Sequence, residues 1–308
     1  MTTQYEAPIL RWYAQSARDL PWRHPDATPW SILVSEIMLQ QTPVSRVLPA
    51  HAAWLRRWPA PAALAAATPA DAVRQWDKLG YPRRAVRLHA SAELIAKCHG
   101  GEVPASADEL RRLPGVGSYT AAAVASFAFG QRHAVLDTNV RRVLARLVTG
   151  DYLPPPGQTA AEVRLAELLL PINGRLAARW SVGVMELGAL VCTAARPHCD
   201  DCPVRNQCTW LRRGRLAYPA RRPAARYEGS DRQTRGQLLA VLRSARGPVT
   251  PDAMDTAWHD AGQRARALAA LIDDGLVIRC PDGSFALPGE AVLPGEAAEN
   301  ASTAPIAR

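Results

Sequence analysis

The feature that most constrains this chain is a run of four cysteines near residue 200. Cys192, Cys199, Cys202 and Cys208 lie within 17 residues, with the spacing C-x6-C-x2-C-x5-C. Thiols at this density predict a metal site. A zinc ribbon usually has two C-x2-C pairs separated by a longer loop. Here one pair is tight and two arms are loose, which suits a cubane cluster whose four irons each take one thiolate. The spacing alone leaves zinc open and favours iron–sulfur.

The composition excludes several other classes of protein. Hydrophobic residues make up 48% and charged residues 21%, as in a globular protein, and 308 residues are enough for about two domains. The first six residues lack the basic and apolar regions of a secretory signal, and proline or charge interrupts every apolar stretch before it could span a bilayer. We therefore expect a cytoplasmic protein with no membrane partner.

The charge of the chain favours a polyanionic partner. The formal net charge is +9, and cations placed near phosphates release condensed counterions. Alone this is a weak indication of nucleic acid. Of the 37 basic residues only Lys78 and Lys97 are lysines, so arginine supplies the other 35. That scarcity of lysine limits which covalent chemistry is open to the chain.

The pattern of apolar residues predicts two folded parts. Residues 5–190 read as helices of about 10 to 18 residues separated by proline and glycine, which predicts an all-α core. An arginine-rich stretch at 211–226 predicts a basic linker. Beyond it, three short helices (232–245, 251–260, 263–274) and two strands (276–279, 284–287) predict a winged-helix-like α+β unit at 227–290. A small packing domain that touches no DNA is the alternative. Residues 291–308 are predicted to be a disordered tail.

A glycine-containing turn precedes the helix predicted at 118–129. In Leu113-Pro114-Gly115-Val116-Gly117, the two glycines let the backbone bend tightly and bring N–H groups towards an anion at the helix N-terminus. The motif is typical of a phosphate-binding hairpin, although a simple turn fits the same residues. Gly115 and Gly117 are therefore candidate DNA contacts.

Two carboxylates are candidates for chemistry. Asp137, in Leu136-Asp137-Thr138-Asn139-Val140, could be only the N-cap of a helix at 139–147. Glu36 lies in a predicted helix that ends before Pro43, on a face with Ile32, Leu33 and Leu39. Burial there would favour its protonated form, and a neutral carboxylic acid can donate a proton to a leaving base.

Together these motifs resemble the endonuclease III and MutY superfamily of DNA glycosylases. The cysteine spacing, the hairpin and the Asp137 motif carry the likeness to the superfamily. Ser35–Thr42, Leu20-Pro21-Trp22-Arg23 and Leu79-Gly80-Tyr81 are similar to MutY signatures. The resemblance implies a helix-hairpin-helix glycosylase core over residues 1–225. Within that core it implies a helical barrel module at about 26–134 and a module of 1–25 with 135–225 that carries a [4Fe-4S] cluster on the four cysteines.

The resemblance also implies the substrate and the roles of individual residues. The partner would be double-stranded DNA with adenine opposite 8-oxoguanine or guanine, acted on by a monomer associated with the nucleoid. Glu36 would protonate adenine N7, and Asp137 would stabilise the positive charge on the sugar. The other expected site residues are catalytic (Tyr119, Asn139), line the adenine pocket (Trp22, Arg23, Glu186), probe the opposite strand (Gln40, Gln41), bind DNA (Thr42) or wedge beside the opposing base (Tyr81).

Two departures from the superfamily refine the expectation. Bifunctional relatives use a lysine just after the hairpin to form a Schiff base, whereas this chain has Tyr119 there, which predicts a monofunctional enzyme. Residues 227–308 are too short and too helical for the Nudix-like domain that MutY proteins usually add. A thymine or uracil glycosylase of the same superfamily is the alternative enzyme. A non-catalytic iron–sulfur DNA-binding regulator is the alternative from another class.

Overall fold

The computed structural model describes residues 4–215 and 227–290, so the predicted tail at 291–308 and most of the predicted linker at 211–226 lie outside the described residues. None of the described helices has both the length and the apolar character needed to cross a bilayer. In chain order the α-helices are α1 (Glu6–Ser16), α2 (Pro29–Leu39), α3 (Val44–Arg57), α4 (Pro61–Ala65), α5 (Pro69–Trp76), α6 (Arg83–Cys98), α7 (Ala107–Leu110), α8 (Ser118–Phe129), α9 (Thr138–Leu144), α10 (Ala160–Leu169), α11 (Gly174–Leu190), α12 (Thr209–Arg212), α13 (Asp231–Ser244), α14 (Pro251–Asp255) and α15 (Ala261–Asp273).

The chain forms two compact units, each made of two stretches of sequence. Unit 1 comprises Met1–Gln40 and Glu102–Arg222, and unit 2 comprises Gln41–Gly101 and Pro223–Arg308. The segment after the basic stretch is thus grouped with residues 41–101. The division into a 1–225 core with two modules and a separate 227–290 unit stays a prediction.

The core of unit 1 forms around α11. Its buried side chains include Trp180, Val184 and Leu187, which pack in one cluster with Ile9 of α1 and Val140 of α9. The sequence explains this packing, because apolar residues three and four apart share one face of a helix. One surface of α11 thereby fixes the position of both α1 and α9.

Helix α2 is buried on almost every side. It begins at Pro29 behind the N-cap Thr28, whose side chain accepts a hydrogen bond from the Ser31 amide, and it packs against α8. Every residue from Trp30 to Met38 is buried, as expected of a helix that is apolar nearly all round. Glu36 is therefore carried into the interior by its own helix.

The predicted turn before α8 is present, and α8 has the predicted bounds Ser118–Phe129. Gly115 adopts a φ of +83°, a value that residues with a side chain rarely adopt, and Gly117 is the N-cap of α8. The helix predicted at 139–147 is shorter than expected. α9 ends at Leu144 and a π-helical turn, Ala145–Thr149, follows it.

Unit 2 contains an aromatic core. The rings of Trp54 and Trp58 meet edge to face with centroids 4.7 Å apart, and Trp54 meets Trp76 at 5.6 Å in the same manner. Such pairs add to the free energy gained from burying the rings. They join α3 to α5, while α4 and α5 pack against α6.

The C-terminal segment of unit 2 has three helices and a short strand pair. α13 packs against α15 and α14, and β1 (Ile278–Arg279) pairs antiparallel with β2 (Phe285–Ala286). Val249 adds an isolated antiparallel bridge to Phe285. Both strands and α14 are shorter than predicted. The segment is held to α5 by Arg74, whose Nη2 donates to the Ala245 carbonyl at 2.8 Å.

Candidate active site

Glu36 is a buried acid with a neutral-range pKa. Its residue is 6% exposed, in the middle of α2. Burial raises its pKa from 4.5 to about 7, while a hydrogen bond from the Tyr119 hydroxyl lowers it, the charge of Asp137 raises it and the charge of Arg23 lowers it. Burial outweighs the rest because the charged form loses its hydration. Near neutral pH this carboxyl can hold a proton and release it.

Tyr119 and Asp137 complete a group of acids around Glu36. Tyr119 lies in the first turn of α8, and burial raises the pKa of its hydroxyl, with the charges of Glu36 and Asp137 adding to the rise. The hydroxyl therefore stays protonated and donates to Glu36. Burial also raises the pKa of Asp137, but hydrogen bonds from Val140 and Asn139 oppose that rise. α2, α8 and α9 thus bring the predicted acids together.

Asp137 is the N-cap of α9 and is also tied to a network of side chains. One carboxylate oxygen accepts from the Val140 amide at 2.6 Å and the other from Asn139 Nδ2 at 2.7 Å. Asn139 Oδ1 in turn accepts from Arg142 Nη2 at 2.7 Å. A Cβ added to Gly188 of α11 would lie 2.7 Å from Asn139 Cβ, so only glycine allows this close approach. The capping role and a role in chemistry are compatible, because the two oxygens have different partners.

Glu186 is a second buried acid with the opposite electrostatics. Its side chain is fully buried on α11 and accepts from Arg18 Nε at 2.7 Å, Arg18 Nη2 at 2.8 Å and Arg23 Nη1 at 2.8 Å. Burial would raise its pKa, but the hydrogen bonds from Arg18 and the charge of Arg23 outweigh burial and lower the pKa to about 2. Glu186 is therefore a permanent anion that fixes Arg23. Trp22, next to Arg23 in a 3₁₀ turn, is buried.

The Gln40 side chain forms hydrogen bonds with the glycine turn and with α8. Its Nε2 donates to Thr120 Oγ1 at 3.2 Å and to the Gly115 carbonyl at 3.4 Å. These bonds connect the residue after α2 to the middle of the glycine turn and to the first turn of α8. Gly117 stands at the start of α8 with an extended backbone.

Three of the predicted DNA-binding residues, Gln41, Thr42 and Tyr81, belong to unit 2. Gln41 has a φ of +57° and Tyr81 a φ of +49°, both unusual for residues other than glycine. Thr42 is buried, and its hydroxyl accepts from Arg84 Nη2 at 2.9 Å. Tyr81 is 45% exposed, so its ring is presented to solvent. The strained backbone at Gln41 and Tyr81 is the kind found at functional turns.

The four clustered cysteines line one cavity of unit 1. They share its wall with an arginine and several apolar residues; the lining residues are Arg146, Val191, Cys192, Pro197, Cys199, Cys202, Cys208, Trp210 and Leu211. No group of three or more His, Cys, Asp or Glu in residues 4–215 and 227–290 is placed to hold a metal ion. The four thiols nevertheless border one cavity, and thiols are the ligands that an iron–sulfur cluster takes.

Arg142 and Arg146 connect the cysteine loop to α9 and to the turn after it. Arg142 Nε donates to the Cys192 carbonyl at 2.7 Å, and Arg146 Nη1 donates to Cys192 Sγ at 3.4 Å. Burial raises the pKa of Cys202 to about 12. A thiol with so high a pKa keeps its proton at neutral pH, and it becomes a thiolate ligand only when the positive charge of a bound metal displaces that proton.

Sequence reasoning missed Arg18 and Arg142. Arg18 neutralises Glu186 although the two lie 168 residues apart in the chain. Arg142 follows Asp137 closely, and its spacing of three from Asn139 on a helix could have suggested the contact. For Arg18, no local pattern in the sequence indicates the partner.

The comparisons with known proteins identify the family of the chain. The profile of the HhH-GPD superfamily base excision DNA repair proteins matches residues 34–167. An adenine DNA glycosylase of Mycobacterium tuberculosis is 54% identical over 288 residues, which cover 92% of this chain and 93% of that protein. One from Mycolicibacterium smegmatis is 50% identical over 283 residues, with 92% and 95% covered.

A solved structure shares the fold. The structure of a thermostable thymine-DNA glycosylase aligns with a TM-score of 0.62 at 29% identity, covering 68% of this chain and 95% of that one. The two mycobacterial proteins, by contrast, match across the C-terminal segment as well as the core. On this likeness over nearly the whole length, the chain belongs to the MutY-type adenine DNA glycosylases of the HhH-GPD superfamily of base excision DNA repair proteins.

Proposed function

We propose that this protein is a monofunctional DNA N-glycosylase that removes adenine mispaired with 8-oxoguanine or guanine. The observation that carries the proposal is Glu36, a carboxyl that accepts a hydrogen bond from Tyr119 and whose pKa burial raises to about 7. A purine leaving group has N7 to accept a proton, whereas a pyrimidine has no such atom. An acid poised near neutral pH therefore fits adenine better than thymine or uracil.

The reaction divides between the two carboxylates. Adenine must leave the base stack to reach a buried acid. Glu36 donates its proton to adenine N7, and the bond between N9 and C1′ of the sugar breaks with its electron pair going to the base. Asp137 stabilises the positive charge that develops on the sugar. A water molecule adds its hydroxyl to C1′, and its remaining proton returns to Glu36.

The tyrosine at the lysine position supports a monofunctional reaction. Tyr119 is neutral and its hydroxyl is engaged with Glu36, so it provides no amine for a Schiff base. The expected product is therefore an abasic site on an intact strand. Trp22, Arg23 and Glu186 would form the adenine pocket. The Arg23–Glu186 ion pair would give that pocket a fixed polar wall.

The glycine turn and the residues around Gln41 and Tyr81 would each contact DNA. Gly115 and Gly117 would bind a phosphate at the N-terminus of α8, with Gln40 supporting the turn. Gln41, Thr42 and Tyr81 would meet the strand opposite adenine. The segment 227–290 has the helix and strand order of a winged helix, which supports a small DNA-binding unit in place of a Nudix-like domain.

Cys192, Cys199, Cys202 and Cys208 would hold a [4Fe-4S] cluster, since their thiols border one cavity. The cluster would fix the loop after α11, and Arg142 and Arg146 would connect that loop to α9. We further propose that the protein acts as a monomer on DNA of the nucleoid.

The test is single-turnover cleavage of a labelled duplex that carries one adenine opposite 8-oxoguanine, guanine, cytosine or thymine. Wild type and Glu36→Gln are compared with and without hot alkali. We expect adenine release with the first two partners, strand breaks only after alkali, and loss of release in Glu36→Gln. Glu167→Gln, on the exposed face of α10, is the matched control and should behave as wild type.

Other outcomes would favour the other candidates. Base release only from thymine or uracil opposite guanine would assign the enzyme to pyrimidine mismatches. Binding without release of any base would make it a non-catalytic DNA-binding protein. Strand breaks without alkali would contradict the monofunctional assignment.

A further inference from the structure

Tyr81 is an exposed aromatic ring on a rigid turn of unit 2. Its backbone is held in the left-handed region, and the preceding Gly80 carbonyl accepts from Trp76 Nε1 and from Arg84 Nη2, each at 2.9 Å. The Arg84 guanidinium also lies 5.4 Å from the centre of the Tyr81 ring. The ring is thus fixed in place while its surface stays accessible.

A second arginine reaches the same ring from the C-terminal segment. Arg232, in the first turn of α13, places its guanidinium 4.9 Å from the centre of the Tyr81 ring and 5.9 Å from that of Tyr227. Tyr227 is 56% exposed. A Cβ at Gly236 of α13 would lie 3.6 Å from the Tyr227 hydroxyl, so the ring lies along this helix. Two exposed rings therefore flank one exposed guanidinium.

The chemistry of this group matches nucleic acid. Aromatic rings stack on unpaired bases, and a planar guanidinium both stacks on rings and binds phosphate. The next arginine of α13, Arg235, forms an ion pair with Asp274, whereas Arg232 is placed over rings. A guanidinium over a ring keeps its edge N–H groups available for an anion.

The arginines of α15, the last helix of the winged-helix-like segment, are less available to DNA. On α15, Arg264 forms an ion pair with Asp255 at 2.8 Å and donates to the Trp258 carbonyl. Arg266 is two-thirds exposed but has the Asp231 carboxylate 3.8 Å away. In an ordinary winged helix the helix at the position of α15 enters the major groove. Here its arginines face acids of the same segment.

We propose that the C-terminal segment contacts DNA through Arg232 and Tyr227 at the start of α13, beside Tyr81, and not through α15. Arg232 binds a backbone phosphate, and the Tyr227 ring stacks on a neighbouring base or sugar. The inference rests on the proposed function only in taking DNA as the partner. It makes α13 the element by which a segment without a Nudix-like domain adds affinity for the substrate.

The experiment measures the Kd of the full-length protein for a fluorescent duplex with one A:G mispair, by anisotropy over a range of salt concentrations. All proteins carry Glu36→Gln so that the duplex stays intact. Arg232→Ala should raise Kd about tenfold, and the slope of log Kd against log salt should fall by about 0.9, the value for one lost phosphate contact. Arg232→Lys should keep the slope. Tyr227→Leu should raise Kd about fivefold with the slope unchanged, because stacking releases no counterions.

Arg266→Ala is the control, since it removes the same charge from the same segment. It should leave Kd within about twofold of the parent. The proposal is overturned if Arg232→Ala and Tyr227→Leu both bind as the parent does, or if Arg266→Ala weakens binding as much as Arg232→Ala. Circular dichroism melts establish that each variant is folded. If the wild-type protein released no adenine but Arg232→Ala still weakened binding, the proposed function would fail and this inference would stand.

Discussion

Glu36 and Glu186 are two buried glutamates of unit 1 with opposite protonation. Neither side chain has appreciable contact with solvent, but the pKa of Glu36 is raised to about 7 and that of Glu186 lowered to about 2. Burial opposes ionisation of both. The difference is that Arg18 and Arg23 bind the Glu186 carboxylate, whereas Glu36 has a neutral tyrosine hydroxyl as its hydrogen-bond partner. The partner, and not burial, therefore decides whether a buried glutamate is an acid or an anion.

The largest effect is expected when the proton on Glu36 is removed. Glu36→Gln should lower the single-turnover rate of adenine release by about 10³-fold, because general acid catalysis typically contributes 10²- to 10⁴-fold. Glu186→Gln should act mainly through the position of Arg23, and its loss should be smaller. If Glu36→Gln and Glu186→Gln lowered the rate equally, the assignment of Glu36 as the acid and Glu186 as a structural anion would be wrong.

The second effect concerns stability and separates the two residues by sign. The folded-state pKa of Glu36 is raised, so the unfolded state loses its proton first as pH rises above 4.5. The resulting penalty grows until about pH 7 and is constant beyond. Glu36→Gln removes the penalty. Its free energy of unfolding relative to wild type should therefore rise between pH 5 and pH 8 by about 2.5 kcal/mol, from the shift in pKa. Urea denaturation at the two pH values measures it, and a difference independent of pH would contradict the raised pKa.

The third effect comes from removing one of the two arginines that bind the Glu186 carboxylate. Arg18→Met should lower the free energy of unfolding at pH 7 by about 2 kcal/mol. This is less than for a fully buried pair, because Arg18 is about one-third exposed and Arg23 remains. Arg18→Lys should recover part of the loss. In Arg18→Met the pKa of Glu186 should rise from about 2 towards its ordinary value of 4.5, so the deficit should be constant above about pH 5 and should shrink as pH falls from 5 to 3. A deficit that does not change with pH would point to lost packing instead of an unpaired charge.

The smallest effect concerns Asp137, which lies between the two cases. Its pKa is raised by burial, but hydrogen bonds from the Val140 amide and Asn139 oppose that rise. Asn139→Ala removes one of these bonds and also the bond from Arg142 to Asn139, while Arg142 keeps its bonds to the Cys192 and Gly188 carbonyls. The rate of adenine release should fall about tenfold, with the larger fraction of the loss at low pH where Asp137 takes up a proton. Asn173→Ala removes an asparagine side chain that accepts from the Leu176 amide at the start of α11, and it is the control for the loss of an asparagine hydrogen bond away from Asp137.

Parts of this comparison could be predicted from the sequence and parts could not. The burial of Glu36 follows from the apolar residues one turn away on α2, and the start of α8 follows from the glycine turn before it. Those signals are local, because they depend on residues within a helical turn. The ion pair that keeps Glu186 charged could not be predicted in this way, because Arg18 and Glu186 are 168 residues apart in the sequence.

The same distinction holds elsewhere in the fold. The three C-terminal helices were predictable from their spacing of apolar residues, but the strands are shorter than the pattern suggested because pairing depends on the partner strand. The π-helical turn after α9 has no sequence signal. It carries Arg146 towards Cys192, and this contact is set by tertiary structure.

The most direct test of the account is the pH dependence of the single-turnover rate of adenine release on an A:8-oxoguanine duplex, from pH 5 to pH 9. If Glu36 is the proton donor, the rate should be constant below about pH 7 and then fall about tenfold for each further pH unit, as the carboxyl ionises. The residual rate of Glu36→Gln should lack that fall. A wild-type rate that stays level or rises up to pH 9 would show that no acid with a pKa near 7 donates the proton, and would contradict the assignment of Glu36.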